Sequence, residues 1–170
     1  MTDAEELLAL RAQRLARPPP EDESGGTRRL VFFESGGERW AIDPEFARGT
    51  VRLRELVVVP LAPRAIVAAT LDEGELVPIV DLRLLFDGEP SPLADHRFAL
   101  LVGDPPLRIG LLMLDVGAVA DVASSSLHPA PRGFGGNGLV WGATEESVAV
   151  LDGAALLADE RLFAGEGRSS

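Results

Sequence analysis

Ser124, Ser125 and Ser126 stand just ahead of His128, and a hydroxyl beside an imidazole is the beginning of a nucleophile and its base. Such a pair works only when the ring faces the hydroxyl and an acid orients the ring. Neighbours in a loop rarely face one another and no acid is placed to serve, so the run reads as a turn. His96 beside Asp95 offers two metal-binding side chains without the further ligands at regular spacing that an ion requires. The glycines of "GFGGNG", residues 133–138, could cradle an anion, yet nothing marks them as joining a strand to a helix, and a flexible turn is the simpler reading. All 16 cations are arginine. A P-loop therefore lacks its phosphate-binding lysine and a Schiff-base enzyme its amine. The expectation is a protein with no catalytic residue, no metal and no cofactor.

The elements that would position any site are those of one ordinary domain. A length of 170 residues, an apolar share of 46% and a charged share of 25% allow a core without staples, and the absence of cysteine excludes disulfides. The formal charge of −11 argues against nucleic acid and anionic lipid, both of which need clustered cations. Residues 1–20, with early acids and interspersed arginines, resemble neither a signal peptide nor a spanning segment, so the expected location is cytoplasmic, with no direct membrane insertion.

Leu7, Leu8, Ala12 and Leu15 recur at helical spacing, and Pro18 to Pro20 end that helix, so residues 1–26 read as a helix and a polar linker. From residue 28 the texture changes to short apolar runs split by turns, as in all-β barrels. Strands are expected at 29–34, 38–43, 51–53, 57–59, 64–70, 76–81, 98–102, 107–114, 116–122, 139–142 and 147–151, with one helical turn in "PEFARGT" and a short helix over 154–162. Residues 128–138 read as a loop and 164–170 as a tail. Trp40 and Trp141 are expected to pack in the core.

The stretch "TLDEGELVPIVDLR", residues 70–83, is the most informative. Pro78 has no N–H for a ladder, which suggests an edge strand, a bulge, or an N–H position pointing away from the neighbour. Leu76, Val77, Ile79 and Val80 are apolar on both alternating faces, so a second barrel or another protein must cover one of them. Gly74 suits a turn with positive φ.

This stretch also carries a resemblance. "VPIVDLRLLF" is similar to the "PVVDLR" signature of the CheW-like domain, the family of the chemotaxis coupling protein CheW and of the regulatory domain of its histidine kinase CheA. "VVPLAPRAIVAA" resembles the family's "TPVPxAPxxVxGV", and "RRLVFFESGGERWAID" its first hairpin. "LRIGLLMLDVGAV" and "GLVWGATEESVAVLDGAALL" resemble later pieces in the same order. The likeness spans about residues 28–160. It implies a mainly β fold of two SH3-like five-stranded barrels around a shared core, here at residues 27–163, with an N-terminal and a short C-terminal helix. It also implies a non-catalytic coupler of chemoreceptors to a CheA-type kinase, a monomer or weakly self-associating.

Two departures qualify the likeness. Where the family reads "NLRG", this chain has Leu71, Asp72, Glu73 and Gly74, so that glutamate replaces arginine. The family's aspartate after "GLLV" falls on Leu114, with Asp115 next, either as a substitution or as a one-residue bulge. The turn thus reads as a recognition element with inverted charge, in a coupler that has changed or lost one partner. The expected protein-binding residues are Val57, Val58, Val59, Leu71, Asp72, Glu73, Gly74, Val77 and Ile79, while Asp81 and Arg83 hold the strand's exit by local hydrogen bonds. A small-molecule-binding barrel is the alternative, and would need a concave pocket with convergent polar groups.

Overall fold

The segment "TRRLVFFES" alternates in a way that only a strand can use: Leu30 is buried on one side, and Val31 and Phe33 are buried together on the other. In the computed structural model, which describes residues 26–115, 117–130 and 138–162, this segment is strand β1, Thr27–Ser35. It turns at Gly36–Gly37 into β2, Glu38–Ile42. The first sheet is completed by β9 (Ala118–Ala123), β10 (His128–Pro129), β11 (Val140–Ala143) and β12 (Ala149–Leu151), in the order β10-β11-β12-β2-β1-β9.

The second sheet is built from the continuous stretch between. Its strands are β3 (Ala47–Arg52), β4 (Leu56–Val57), β5 (Ile66–Asp72), β6 (Glu75–Val80), β7 (Phe98–Val102) and β8 (Ile109–Met113), in the order β3-β7-β8-β6-β5-β4. Both sheets follow one plan. A hairpin (β1–β2 or β5–β6) joins a second hairpin (β11–β12 or β7–β8) through one parallel pair, β2 with β12 and β6 with β8, and a further strand lies at each edge. Each sheet has six strands where five were expected, the extra count including the two-residue strands β4 and β10.

Alternation divides the apolar side chains into three clusters. Trp40, Ile42, Val80, Leu100, Leu111 and Leu151 belong to one large core that both sheets share. Their sequence neighbours Ala41 and Val150 join Leu30 in a small cluster of the first sheet, and Ile79, Ala99 and Leu112 form the matching cluster of the second. Curling each sheet around its own cluster is what leaves the other face free to meet its counterpart. The two-faced apolar run 76–80 is thereby explained, since the cover for Val80 is the other sheet.

Several expectations need correction. Strand β6 is not an edge strand, because it pairs with β5 on one side and with β8 on the other. Its parallel pairing with β8 begins at Ile79, immediately past Pro78, so the missing N–H falls where the ladder on that side has not begun. Residues 128–129, expected as loop, form β10; residues 131–137 of that loop lie outside the described residues, as do the expected helix at 3–16 and the tail at 164–170. A short helix α1, Leu82–Leu85, was not anticipated. The helical turn in "PEFARGT" is a 3-10 turn at Pro44–Phe46, and the helix expected over 154–162 is divided into α2, Gly153–Leu157, and a 3-10 turn at Glu160–Leu162. Trp40 is buried against Phe86, its ring centroid 5.1 Å away. Trp141 is only half-buried, and the Arg28 guanidinium lies 4.5 Å above it while gripping Asp43 through both carboxylate oxygens.

Candidate protein-binding edge

The β5–β6 hairpin closes in two residues, with Asp72 opposite Glu75 and positive φ at both Glu73 (50°) and Gly74 (81°). Positive φ at both central positions is the type I′ geometry that matches the twist of paired strands. Gly74 takes the left-handed conformation without strain, whereas Glu73 carries a side chain where one is unfavourable. A methyl group built on Gly74 would meet nothing within 4 Å, so the tip stands clear of the rest of the molecule.

Below the tip, register decides which side chains show. Leu71 and Leu76 are directly opposed, and they are 61% and 60% exposed. They share their face with Pro78 and Val80, and that face changes along β6 from fully buried at Val80, through half-buried Pro78, to open at Leu76. The shared core covers one end of the strand and stops short of the other. Beside it, β4 pairs Val57 with Ala69, and the chain continues outward through Val58 (81% exposed), Val59 and Leu61 (76% exposed). Strand β4, the turn and the bare end of β6 together form one apolar margin of the second sheet. Patches of this kind mark protein contact sites when they are large and rimmed by polar groups.

The expected residues fare unevenly in this geometry. Val57, Val58, Val59, Leu71, Glu73 and Gly74 lie on the exposed margin. Val77 and Ile79, expected as exposed, are 2% and 0% exposed, because they project from the opposite face of β6 into the second sheet's interior. The apolar neighbour that is exposed is Leu76, one residue away. In a run apolar on both faces the sequence gives no parity, and a one-residue choice moves every side chain to the other face. Leu56 and Leu61 also belong to the margin and were missed; the run "LVVVPL" was the available signal.

Asp72 is the second surprise. Its carboxylate is taken by Arg108, which arrives from the start of β8, and both side chains are largely shielded from solvent. Arg108 is thus a neighbour of the candidate edge that no local pattern revealed. Further along the same side, Arg48 holds Asp104 by two hydrogen bonds of 2.9 and 3.0 Å. That hydrogen bond, opposed by slight burial and helped by the charges of Arg48 and Arg108, holds the Asp104 carboxyl below its ordinary range. The same contact raises Arg48.

The remaining candidates are structural. Asp81 is fully buried and accepts from Arg83 N (3.1 Å), Ser91 N (2.7 Å) and Ser91 Oγ (2.8 Å), capping α1 and securing the exit of β6, as expected of it. His96 Nδ1–H donates to the Pro92 carbonyl at 2.8 Å while Nε2 accepts the Gly36 N–H at 3.1 Å, so the ring is a spacer between two loops. Ser124–Ser126 form a 3-10 turn in which Ser126 Oγ donates to the Ala123 carbonyl at 2.7 Å, and His128 lies exposed on β10. Among the described residues no group of His, Cys, Asp and Glu could hold a metal ion, and no helix is long and apolar enough to cross a membrane. An open cleft of about 290 Å³ lies between Pro63–Ala65, α1 and Arg161. Arg161 is already committed to Asp159 and to the Leu85 carbonyl, 2.8 Å away.

The profile of the CheW-like domain matches residues 29–161, most of the chain. The protein belongs to the CheW-like domain family. Among solved structures, the scaffolding protein TtCheW from Thermoanaerobacter tengcongensis superposes with a TM-score of 0.63 at 19% identity, over 75% of this chain and 90% of that one. At that identity the likeness concerns the fold, and it agrees with two curled sheets joined by a common core. Comparison with curated protein sequences gives no match. Within the CheW-like frame, the apolar margin and the Glu73 tip both fall inside the matched region.

Proposed function

We propose that this chain is a cytoplasmic, non-catalytic scaffold of a chemosensory system, in which the β4–β5–β6 margin docks the regulatory domain of a CheA-type histidine kinase, a chemoreceptor, or both. Family membership supports the scaffold role. The observation that carries the docking site is the bare end of the β5–β6 hairpin, where Leu71 and Leu76 stay exposed beside Val57 and Val58 although the same face of β6 reaches the core at Val80. A stable contact there would bury ~1,200–2,000 Å² in all, and its central apolar side chains would carry most of the affinity. Glu73 stands where the family resemblance places arginine, which favours a scaffold whose partner set has changed.

The test is a titration of kinase regulatory domains and receptor tips from the same genome against the full chain and against Val58→Asp combined with Leu71→Asp. At least one partner should bind the parent chain, and the double variant should weaken it tenfold or more while circular dichroism shows the fold intact. Equal affinity for both chains would remove this margin from the interface.

A further inference from the structure

The tip of the β5–β6 hairpin bears more negative charge than it neutralises. Around it stand four carboxylates, Glu55, Asp72, Glu73 and Glu75, against two guanidiniums, Arg54 and Arg108. Arg108 is shielded and spent on Asp72, so that pair sets the base of the turn and offers little to a visitor. Glu73 and Glu75 are exposed, and no methyl on the adjoining Gly74 would touch anything within 4 Å. Glu73 stands on the turn two residues from Leu71, within ~7 Å of the apolar pair along the strand, while Glu75 projects from the opposite face to Leu76 and adds its charge at the rim. With Arg108 spent, Arg54 stands against Glu55, Glu73 and Glu75, so negative charge stays in excess, and Arg64 sits past the far end of β5, ~20 Å away and beyond the screening distance at physiological salt.

A body that covers Leu71 and Leu76 and reaches over the turn must therefore also strip water from Glu73 and enter the field of Glu75. A neutral apolar surface would leave them uncompensated, and an anionic one would add repulsion to desolvation. Only a cationic group seated beside apolar ones offsets both. The backbone points the same way: Glu73 occupies a left-handed position at φ 50° where asparagine or glycine would be unstrained, and strain of that kind collects at recognition sites. We infer that the protein surface docking on this tip is cationic, with a guanidinium or ammonium set against Glu73, within the field of Glu75 at the rim, next to side chains packing on Leu71 and Leu76. Asp72 is a positioning residue, held by Arg108, and does not meet that cation itself.

This inference rests on the docking margin proposed above, and the experiment separates the two. The kinase domain or receptor tip that binds the full chain is titrated against Glu73→Arg/Glu75→Arg and, in parallel, against Val58→Asp, at 50 and 500 mM NaCl. The charge reversal should weaken binding tenfold or more at low salt, the parent's affinity should fall several-fold at high salt, and the reversed variant's should be nearly indifferent to salt. Loss with Val58→Asp but equal or tighter binding with the reversal would keep the margin and overturn its cationic partner. Absence of any binder, or indifference to Val58→Asp, would remove the docking reading itself. A second copy of the chain, through its own exposed arginines, is the competing occupant. Concentration-dependent dimerisation in sedimentation, abolished by the same reversal, would assign the cation to that copy and overturn a foreign partner.

Discussion

The β1–β2 and β5–β6 hairpins close through the same kind of turn, with positive φ at Gly36 (63°) and Gly37 (84°) in one and at Glu73 (50°) and Gly74 (81°) in the other. They also hold equivalent places in their sheets, each leading into the parallel pair. What differs is the surroundings. A methyl on Gly36 would come within 2.4 Å of Arg83 Cδ and 2.8 Å of Ser91 Oγ, and the Gly36 N–H is bonded to His96. The first tip is thus clamped onto the second sheet's connections, whereas the second projects freely. One turn geometry serves to fasten the two sheets in one case and to present charge to the outside in the other.

The comparison breaks most severely at the foundation of the clamped tip. Asp81→Ala strands two buried donors of Ser91 and removes the α1 cap, an expected loss of about 3–7 kcal/mol in urea unfolding, from ~1–3 per stranded donor and ~1 for the cap. Next come the glycines themselves. Gly36→Ala should cost about 2–4 kcal/mol, combining left-handed strain with overlap on Arg83 and Ser91, while Gly74→Ala should cost only the strain, about 1–2 kcal/mol. Equal losses for the two alanine variants would show that the first tip is not fastened.

Glu73→Asn sharpens the contrast from the other side. Asparagine before glycine is the preferred type I′ pair, so this variant should gain about 0.5–1 kcal/mol of stability. It should nevertheless bind the partner more weakly, a separation of stability from affinity that the clamped tip could not show. Smallest of all is Asp104→Asn, which removes an exposed pair beside the free hairpin. Because Arg48 lowers the folded-state value of Asp104, its contribution is present above the unfolded carboxylate's value and disappears as pH falls through the folded one. The variant and the parent should therefore differ slightly at pH 7 and converge below about pH 4, in unfolding midpoints measured across that range.

Much of the fold could be read from local pattern. The strand at Phe98–Val102 was placed with its observed ends, and the "SGG" hairpin and the positive φ of Gly74 followed from turn chemistry. Asp81, two residues before Arg83, could be assigned a local hydrogen bond because short-range capping is a property of neighbours. Helix α1 escaped because four residues show no periodicity. In the candidate site the valines of 57–59 and Leu71 were legible as apolar residues near turns, while Val77 and Ile79 were assigned to the wrong face.

Residue order by itself determined the β class, the two turns with left-handed positions, the lack of lysine chemistry and the family pattern, because each depends on backbone sterics or composition over a few residues. Only the tertiary structure decided that Leu76 rather than Val77 is exposed, that Arg108 claims Asp72 from 36 residues away, and that His96 receives Gly36 from 60 residues away. Those outcomes depend on where one sheet ends against the other, and no short window of sequence contains both sides of that boundary.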